Sequence, residues 1–448
     1  LGFTTTYAYD NMNRLTSITD PNGNQALTYT YDSLGRKLTE TTALEYTTTY
    51  TYDGNGNLKS RTDPNGATTN YNYDILNRIN AVLYPNGGSI SYAYDREGRV
   101  TESNSNNIGA NDQLSFRYNK RGELVRLDAV VGSFWLWLEY DYDEAGNKIQ
   151  VDDAVGGTTT YTYDPLNRME TVTNTYGETA TYTYNSIDQV TSINYANGMT
   201  LTNNYDSNSW LSSQTYTDSS STQIANIAYT RDALGRITQR NDKDGITLYT
   251  YDLDDKLTGV SYPWGDTTSY SYDNNGNRLS ETLNGATTNY NYDNDNRLLS
   301  TSDGTTYTYD NNGNTLTKTN SGQTTTYTYD IENRLVGFTY SNGDTAQYIY
   351  CSCPLVGGNN GGYGGKGGPT GTFVGGKRFA KITSAGATFY FYDGEDIILE
   401  LDGAGTINAR YTHGPAIDEP LSMNRGGNNY YYLRDNIGSI IGLTDSAE

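Results

Sequence analysis

Histidine and cysteine are almost missing from this 448-residue sequence, which holds one His and two Cys. His413 is the one imidazole, and no Ser or Cys near it has the spacing of a nucleophile–base pair, so it reads as a structural residue. Cys351 and Cys353 cannot complete a tetrahedral zinc site by themselves. Basic residues are also scarce: 30 Lys and Arg stand against 52 Asp and Glu, a net charge of −22. That balance argues against nucleic acid as a partner, because phosphate binding needs clustered Lys and Arg. No apolar run approaches the ~18 residues of a membrane span. The strongest, Val130-Val131-Gly132-Ser133-Phe134-Trp135-Leu136-Trp137-Leu138, reads as a strand or loop inside an insertion. Aliphatic residues are few as well. The hydrophobic class is 35% and includes 45 Tyr; without them it falls to about a quarter of the chain, too little for an ordinary aliphatic core. Such a composition can signal disorder, but disordered chains are poor in aromatics.

What is present is a period. A Tyr-Asp step or close variant ends at Asp10, Asp32, Asp53, Asp74, Asp95, Asn119, Asp143, Asp164, Asn185, Asp206, Asp232, Asp252, Asp273, Asp293, Asp310 and Asp330. The mean spacing of about 21 residues marks a repeat architecture. In the unit Thr28-Tyr29-Thr30-Tyr31-Asp32-Ser33-Leu34-Gly35-Arg36, the two Tyr share one face of an extended strand and Thr takes the other. The pairs Tyr50/Tyr52, Tyr71/Tyr73, Tyr161/Tyr163, Tyr290/Tyr292 and Tyr327/Tyr329 repeat the pattern. Period two with Tyr and Thr predicts strands.

Three residues after each marker stands Gly, Asn, Asp or Ser, as at Gly35, Gly56 and Asn77, and never a β-branched or bulky residue. These types tolerate positive φ best, so a tight turn with a left-handed last corner is predicted, opened by the marker acid as an Asx-turn. A strand resumes at Leu15, Leu58, Ile79, Val100 and Leu279. A second turn closes the unit, as in Pro21-Asn22-Gly23, Pro64-Asn65-Gly66 and Pro85-Asn86-Gly87. Each repeat is therefore a hairpin, and the predicted fold class is all-β. Sixteen hairpins make about 32 strands and a ribbon on the order of 150 Å, and open sheets rarely pass ~10 strands without curling, so the ribbon must coil. A wide hollow spiral and a narrow stacked solenoid are the competing shapes.

The loops Asp53-Gly54-Asn55-Gly56-Asn57, Asp273-Asn274-Asn275-Gly276-Asn277 and Asp310-Asn311-Asn312-Gly313-Asn314 look like calcium loops. They lack the sixth-position Gly and twelfth-position Glu of an EF-hand and read better as turns. For Cys351 and Cys353, a bridge across one residue would strain the backbone. Pairing between chains, a reduced state and a clamp at the following loop stay open.

Beyond Asp330 the rhythm changes. A Gly-rich stretch, Gly357 to Gly368, reads as a flexible loop. After it come Arg410-Tyr411-Thr412-His413-Gly414-Pro415-Ala416-Ile417-Asp418-Glu419-Pro420-Leu421 and Tyr431-Tyr432-Leu433-Arg434-Asp435-Asn436-Ile437-Gly438-Ser439-Ile440. With the Tyr-Asp-x-x-Gly-Arg units, these strings closely resemble the RHS/YD-repeat family of bacterial Rhs proteins, wall-associated toxins, toxin-complex cocoons and teneurins. The resemblance implies a sheet ribbon spiralling into a hollow shell, often around a C-terminal toxin, with an associated core that closes the end. It divides the chain into a hairpin array (1–350), a Cys-x-Cys and Gly-rich loop (351–376) and a truncated core (377–448). Repeat markers are Tyr31, Asp32, Gly35, Arg36, Tyr52, Asp53, Gly56, Tyr73, Asp74 and Asn77. Core-motif residues are Tyr411, His413, Gly414, Pro415, Asp418, Pro420, Tyr432, Arg434, Asp435, Gly438 and Ser439. Many members free their toxin by aspartate-dependent self-cleavage in a segment, typically with an Asp-Pro-x-Gly string, that follows the Tyr-Tyr-Leu-Arg-Asp stretch. No such string follows Asp435, so no catalytic, cofactor or metal residue is assigned. The chain, which starts inside a repeat and stops in mid-pattern, reads as a window on a longer protein.

The function these readings favour is a secreted or surface-delivered scaffold, not an enzyme, whose partner is a polypeptide cargo. A structural or adhesive filament built from further copies of the chain is the alternative. The same alternative includes a cell-surface binding protein with a receptor as partner, and a third reading is a carbohydrate-binding module whose Tyr ladder stacks on a glycan. No cofactor, nucleic acid or membrane span is expected.

Overall fold

The computed structural model describes residues 3–106, 112–351 and 377–445. Among these residues there is no α-helix, and forty strands run from β1 (Thr6–Tyr9) to β40 (Ile440–Asp445). They form one open sheet in which strands adjacent in sequence pair antiparallel. The Tyr/Thr alternation sets its two faces. In β5 (Thr47–Tyr52), Tyr50 and Tyr52 are half-buried while Thr49 and Thr51 are exposed. The exposed face is itself cross-linked: Thr30 and Thr39 hydroxyls lie 2.6 Å apart, as do those of Thr51 and Ser60.

The turns follow from the residue three after each marker. All of these positions have positive φ, including 82° at Gly35, 61° at Asn77 and 65° at Asp188. At Asp32 the backbone amide donates to the Arg36 carbonyl at 3.0 Å, and the Gly35 amide donates back to the Asp32 carbonyl at 3.1 Å. The left-handed corner slips the register by one residue: Thr30 faces Thr39, but Tyr31 faces Lys37. A one-residue bulge of this kind is what a left-handed residue at the end of a hairpin turn produces. The second turn uses the same geometry, with Gly23 at φ 87° and its amide bonded to the Asp20 carbonyl at 2.9 Å.

The strands group into two compact units, each discontinuous in sequence: residues 1–91 with 247–348, and residues 92–246 with 349–448. In the first, the buried apolar side chains among the described residues are Val82, Ile90, Val260 and Ala346. Its two segments meet instead through polar turn tips.

The second unit has two apolar clusters. The conspicuous run at 130–138 is a hairpin of long strands, β12 (Leu124–Val131) and β13 (Phe134–Tyr142). Its inward side chains Leu127, Ala129, Val131, Leu136 and Leu138 pack with Phe379, Ala380, Phe391, Leu399 and Leu401. Leu138 and Leu399 are wholly buried, each worth about 1.5–3 kcal/mol of transfer free energy. The run is thus the seat on which C-terminal strands dock. The other cluster joins Met169, Val172, Ile193 and Leu201 to Leu421, Tyr431 and Leu433. Cys351 lies buried in the first cluster and is disulfide-bonded. Cys353 and the stretch Gly357–Gly368 fall outside the described residues. No helix among the described residues is long and apolar enough to cross a membrane.

Candidate functional site: the repeat node and the docked C-terminal motifs

Where Arg stands four residues after the marker, the repeat is built on a three-residue node. The Asp32 carboxylate accepts from the Leu34 and Arg36 amides at 2.9 Å and from the Arg36 guanidinium at 2.6 Å. Arg36 then lies 4.7 Å from the ring centre of Tyr52 in the next repeat, and the Tyr52 hydroxyl donates to the Lys37 carbonyl at 2.8 Å. Tyr31 bonds the Leu15 carbonyl, Tyr73 that of Leu58 and Tyr163 that of Lys148 in the same way. In these repeats the hydroxyl of the Tyr-Asp step is therefore committed to the backbone of the preceding repeat. Burial draws the Asp32 carboxyl upward, but the Arg36 and Leu34 hydrogen bonds outweigh it and hold it below the ordinary carboxylate range. At Asp10 the Arg14 guanidinium is the leading cause of the same depression. Asp53 and Asp74 open like turns with Gly56 and Asn77 at their left-handed corners. Asn57 replaces Arg at the Asp53 turn and bonds the Asp53 carboxylate at 3.0 Å.

In the first unit, four marker turns of the later segment dock on four second turns of the earlier one. Asn275 donates to Asp20 at 2.7 Å, and Asn312 donates to Asp63 at 2.9 Å. Asn22 and Asn65 answer by donating to Asp273 at 2.9 Å and Asp310 at 3.0 Å. Asp295 accepts from the Thr42 hydroxyl at 2.8 Å, and Tyr84 donates to Glu332. Two of the calcium-like loops thus spend their oxygens and amides on this turn-to-turn seam. Among the described residues no group of three or more His, Cys, Asp or Glu is arranged to hold a metal.

In the second unit the C-terminal motifs brace the sheet. Glu419, itself buried, accepts from Arg434 at 2.8 Å, from the Tyr182 hydroxyl at 3.4 Å and from the Ala416 amide at 3.0 Å. Gly414 sits against this group: a Cβ there would collide with the Tyr182 hydroxyl and lie 2.6 Å from the Glu419 carboxyl carbon. His413 bonds the Ile397 carbonyl through Nε2 at 2.8 Å, and its Nδ1 faces Asp396 at 3.5 Å, outside good hydrogen-bond geometry. Tyr411 donates to Glu400 at 2.8 Å. Asp418 occupies a left-handed corner at φ 54° and donates its amide to Asp396, and Pro420 pairs with His413 across the hairpin. Pro415 lines the cavity described below. Tyr432 contacts the Met423 sulfur at 3.6 Å. Asp435, Gly438 and Ser439 rebuild the marker turn, with Gly438 at φ 85° and the Ser439 amide on the Asp435 carboxylate at 2.9 Å.

A cavity of about 680 Å³ lies within this unit, lined by Lys148, Asp153, Tyr161, Asp393, Arg410 and His413 among others. Its cations are engaged. Lys148 pairs with Asp393 at 2.6 Å, Arg410 pairs with Asp153, and Arg168 lies 2.9 Å from Asp188. Burial pushes the Tyr161 hydroxyl up to about 12. Burial works against the charge on Lys148, but Asp393 and the neighbouring Tyr hydroxyls outweigh it and raise the amine above its usual value. Each of the three cations on the lining is thus held by a carboxylate, and the lining carries two further carboxylates, Glu395 and Asp396.

A family model for the teneurin YD-shell matches residues 3–105, 102–215 and 197–354. The chain belongs to the YD-shell family. No curated protein matches its sequence. Among solved structures, a mutant Photorhabdus luminescens Tc holotoxin pore superposes with a TM-score of 0.73 at 15% identity, over 99% of this chain and 25% of that one. A TcdB2–TccC3–Cdc42 complex gives 0.70 at 14%, over 99% and 26%. TcdB2–TccC3 without its hypervariable C-terminal region gives 0.69 at 14%, over the same shares. At these identities the likeness shows the fold, and the chain spans about a quarter of each matched chain.

Three parts of this YD-shell site escaped the sequence reading. The Tyr-to-preceding-repeat hydrogen bond spans 15 residues in several repeats but 16, 18 or 11 in others, so no fixed spacing announced it. Asp393 ends a further Tyr-Asp step, Tyr392-Asp393, which the change of rhythm after Asp330 concealed. Glu178, which accepts from the Tyr431 hydroxyl at 2.7 Å, carries no local signal at all.

Proposed function

We propose that this YD-shell chain is wall material: a non-enzymatic scaffold that houses or delivers a polypeptide effector, acting outside the cell or at its surface. The observation that carries this reading is the forty-stranded open sheet whose half-buried Tyr face has its marker hydroxyls tied to the backbone. Such a face keeps aromatic rings in place yet remains polar enough not to trap an unfolded chain on a dry wall. Within this reading, residues 1–350 are the wall, 351–376 a connecting loop and 377–448 a brace, fastened through Glu419, Arg434 and the cluster around Leu399. The curling of the ribbon into a hollow spiral belongs to the same proposal, as does the closing role of the brace. That TcdB2–TccC3 has been solved without a hypervariable C-terminal region supports a separable effector.

Limited proteolysis of the full-length protein tests the proposal. The array should resist digestion and the effector should be protected with it. An effector digested at the rate of the isolated domain would overturn enclosure. Electron microscopy should show closed particles with internal density; long fibres would make this a filament protein instead.

A further inference from the structure

The cavity of about 680 Å³ in the second unit has its donors engaged and its acceptors open. Its cations Lys148, Arg410 and Arg168 are held by Asp393, Asp153 and Asp188. Glu395 is held by Lys377. Asp396 remains: among the described residues no Lys or Arg lies within ion-pair distance of it, and its Oδ1 accepts the Asp418 amide at 2.9 Å. The neutral groups nearby are acceptors too. The Tyr163 and Tyr184 hydroxyls donate to the Lys148 and Met169 carbonyls at 2.9 and 2.8 Å, so toward the cavity they offer lone pairs. His413 bonds the Ile397 carbonyl through Nε2 at 2.8 Å, so that nitrogen carries the proton of the neutral ring. Its buried Nδ1 is then an acceptor facing the Asp396 carboxylate at 3.5 Å, with no proton between them. Two acceptors set face to face in a cavity call for a cation that brings donors.

We propose that this cavity binds an alkylammonium group, with Asp396 as its counter-ion. An ammonium has three donors and no acceptor, the complement of this lining. Its charge meets a carboxylate withdrawn from bulk water, where an ion pair is stronger than on an open surface. Tyr161, whose hydroxyl lies in the field of both Asp393 and Asp396, supplies an aromatic wall for the alkyl chain. A metal ion fits less well, since among the described residues no group of three or more His, Cys, Asp or Glu is arranged to hold one. The volume falls within the ~300–1,000 Å³ of small-molecule sites. Asp188 and Ile417, 71% and 67% exposed, mark an opening at the rim. The same ammonium group can come from a free diamine or from a lysine side chain of a polypeptide.

The chain holds one His, so with isotope-labelled histidine its imidazole resonances report on this cavity alone. Putrescine and a lysine-containing peptide are titrated separately into the 448-residue chain, in about 0.15 M salt to screen the acidic surface. At least one of them should move the imidazole resonances saturably, and the diol matching putrescine should not. Asp396→Asn keeps an oxygen for the Asp418 amide and should weaken binding about tenfold or more, the strength of one charge-assisted hydrogen bond. Asp53→Asn removes the same charge from a marker turn of the first unit and should leave binding unchanged. A response to putrescine alone would assign free amines, and one to the peptide alone a polypeptide lysine. No response to either amine, an equal response to the diol, or amine binding untouched by Asp396→Asn would overturn the proposal. None of these results bears on whether an effector is enclosed.

Discussion

The Tyr216 hydroxyl grips both ends of the Arg434 residue: it donates to the Arg434 carbonyl at 3.0 Å and accepts from the Arg434 amide at 2.9 Å. Tyr216 is completely buried, so no water can substitute. Tyr216→Phe should therefore cost about 1–3 kcal/mol, the penalty of leaving a buried polar group unsatisfied. Urea denaturation of the variant and the parent, compared at equal m-value, would measure it. A loss below a few tenths would show that Arg434 finds another partner.

Gly414 permits the approach of Tyr182 and Glu419. Gly414→Ala should destabilise by about 1–3 kcal/mol through overpacking. Gly403 meets nothing within 4 Å of an added Cβ and lacks a positive φ, so Gly403→Ala is the matched control and should be near neutral. Equal melting shifts for the two would refute the steric argument.

Asn13 lies at φ 57° on an exposed corner. Asn13→Gly should change stability by only a few tenths of a kcal/mol, while Asn13→Val should lose about 1–3 kcal/mol to backbone strain. Thermal melting of the pair decides this. Similar losses in both would place the requirement in the Asn side chain.

The marker carboxyls respond to acid in a fixed direction. Asp10, Asp32, Asp74 and Asp164 all titrate below their ordinary value when folded, chiefly through their Arg partners and turn amides. A depressed folded value stabilises the protein above the unfolded carboxylate range near pH 4 and loses that contribution as the pH falls through the folded value. Stability should thus decline as the pH falls below the unfolded carboxylate range of about 4 and on through the lower folded values. Asn119 and Asn185 already replace Asp and keep both turn amides bonded. Multiple Asp→Asn changes at markers should therefore flatten the acid decline while lowering stability at neutral pH. An unchanged slope would assign the acid response to other carboxyls.

The repeat was legible because its signals are local. A left-handed corner leaves a choice of Gly, Asn, Asp or Ser, and Tyr–Thr alternation assigns the two faces, so strands and turns could be placed from one unit. The seams could not be. Asn275 and Asn312 sit in turns that look like the Asp53 turn, yet they dock across some 250 residues, for example Asn275 on Asp20. Nothing in a 21-residue unit states how many units pass before the sheet meets itself. The C-terminal motifs were visible as words, but their partners Tyr182 and Tyr216 are ordinary Tyr residues made special by position alone.

Because every strand pairs with its chain neighbour, the array has a direction of growth. Each finished hairpin offers its last edge as the template for the next, so ordering proceeds with short loop closures and little search. Contacts such as Asn312 with Asp63 must wait until some 250 residues are laid down. The early hairpins can therefore order before the later segment exists, and the seams act as late fasteners on a sheet whose strands are already paired.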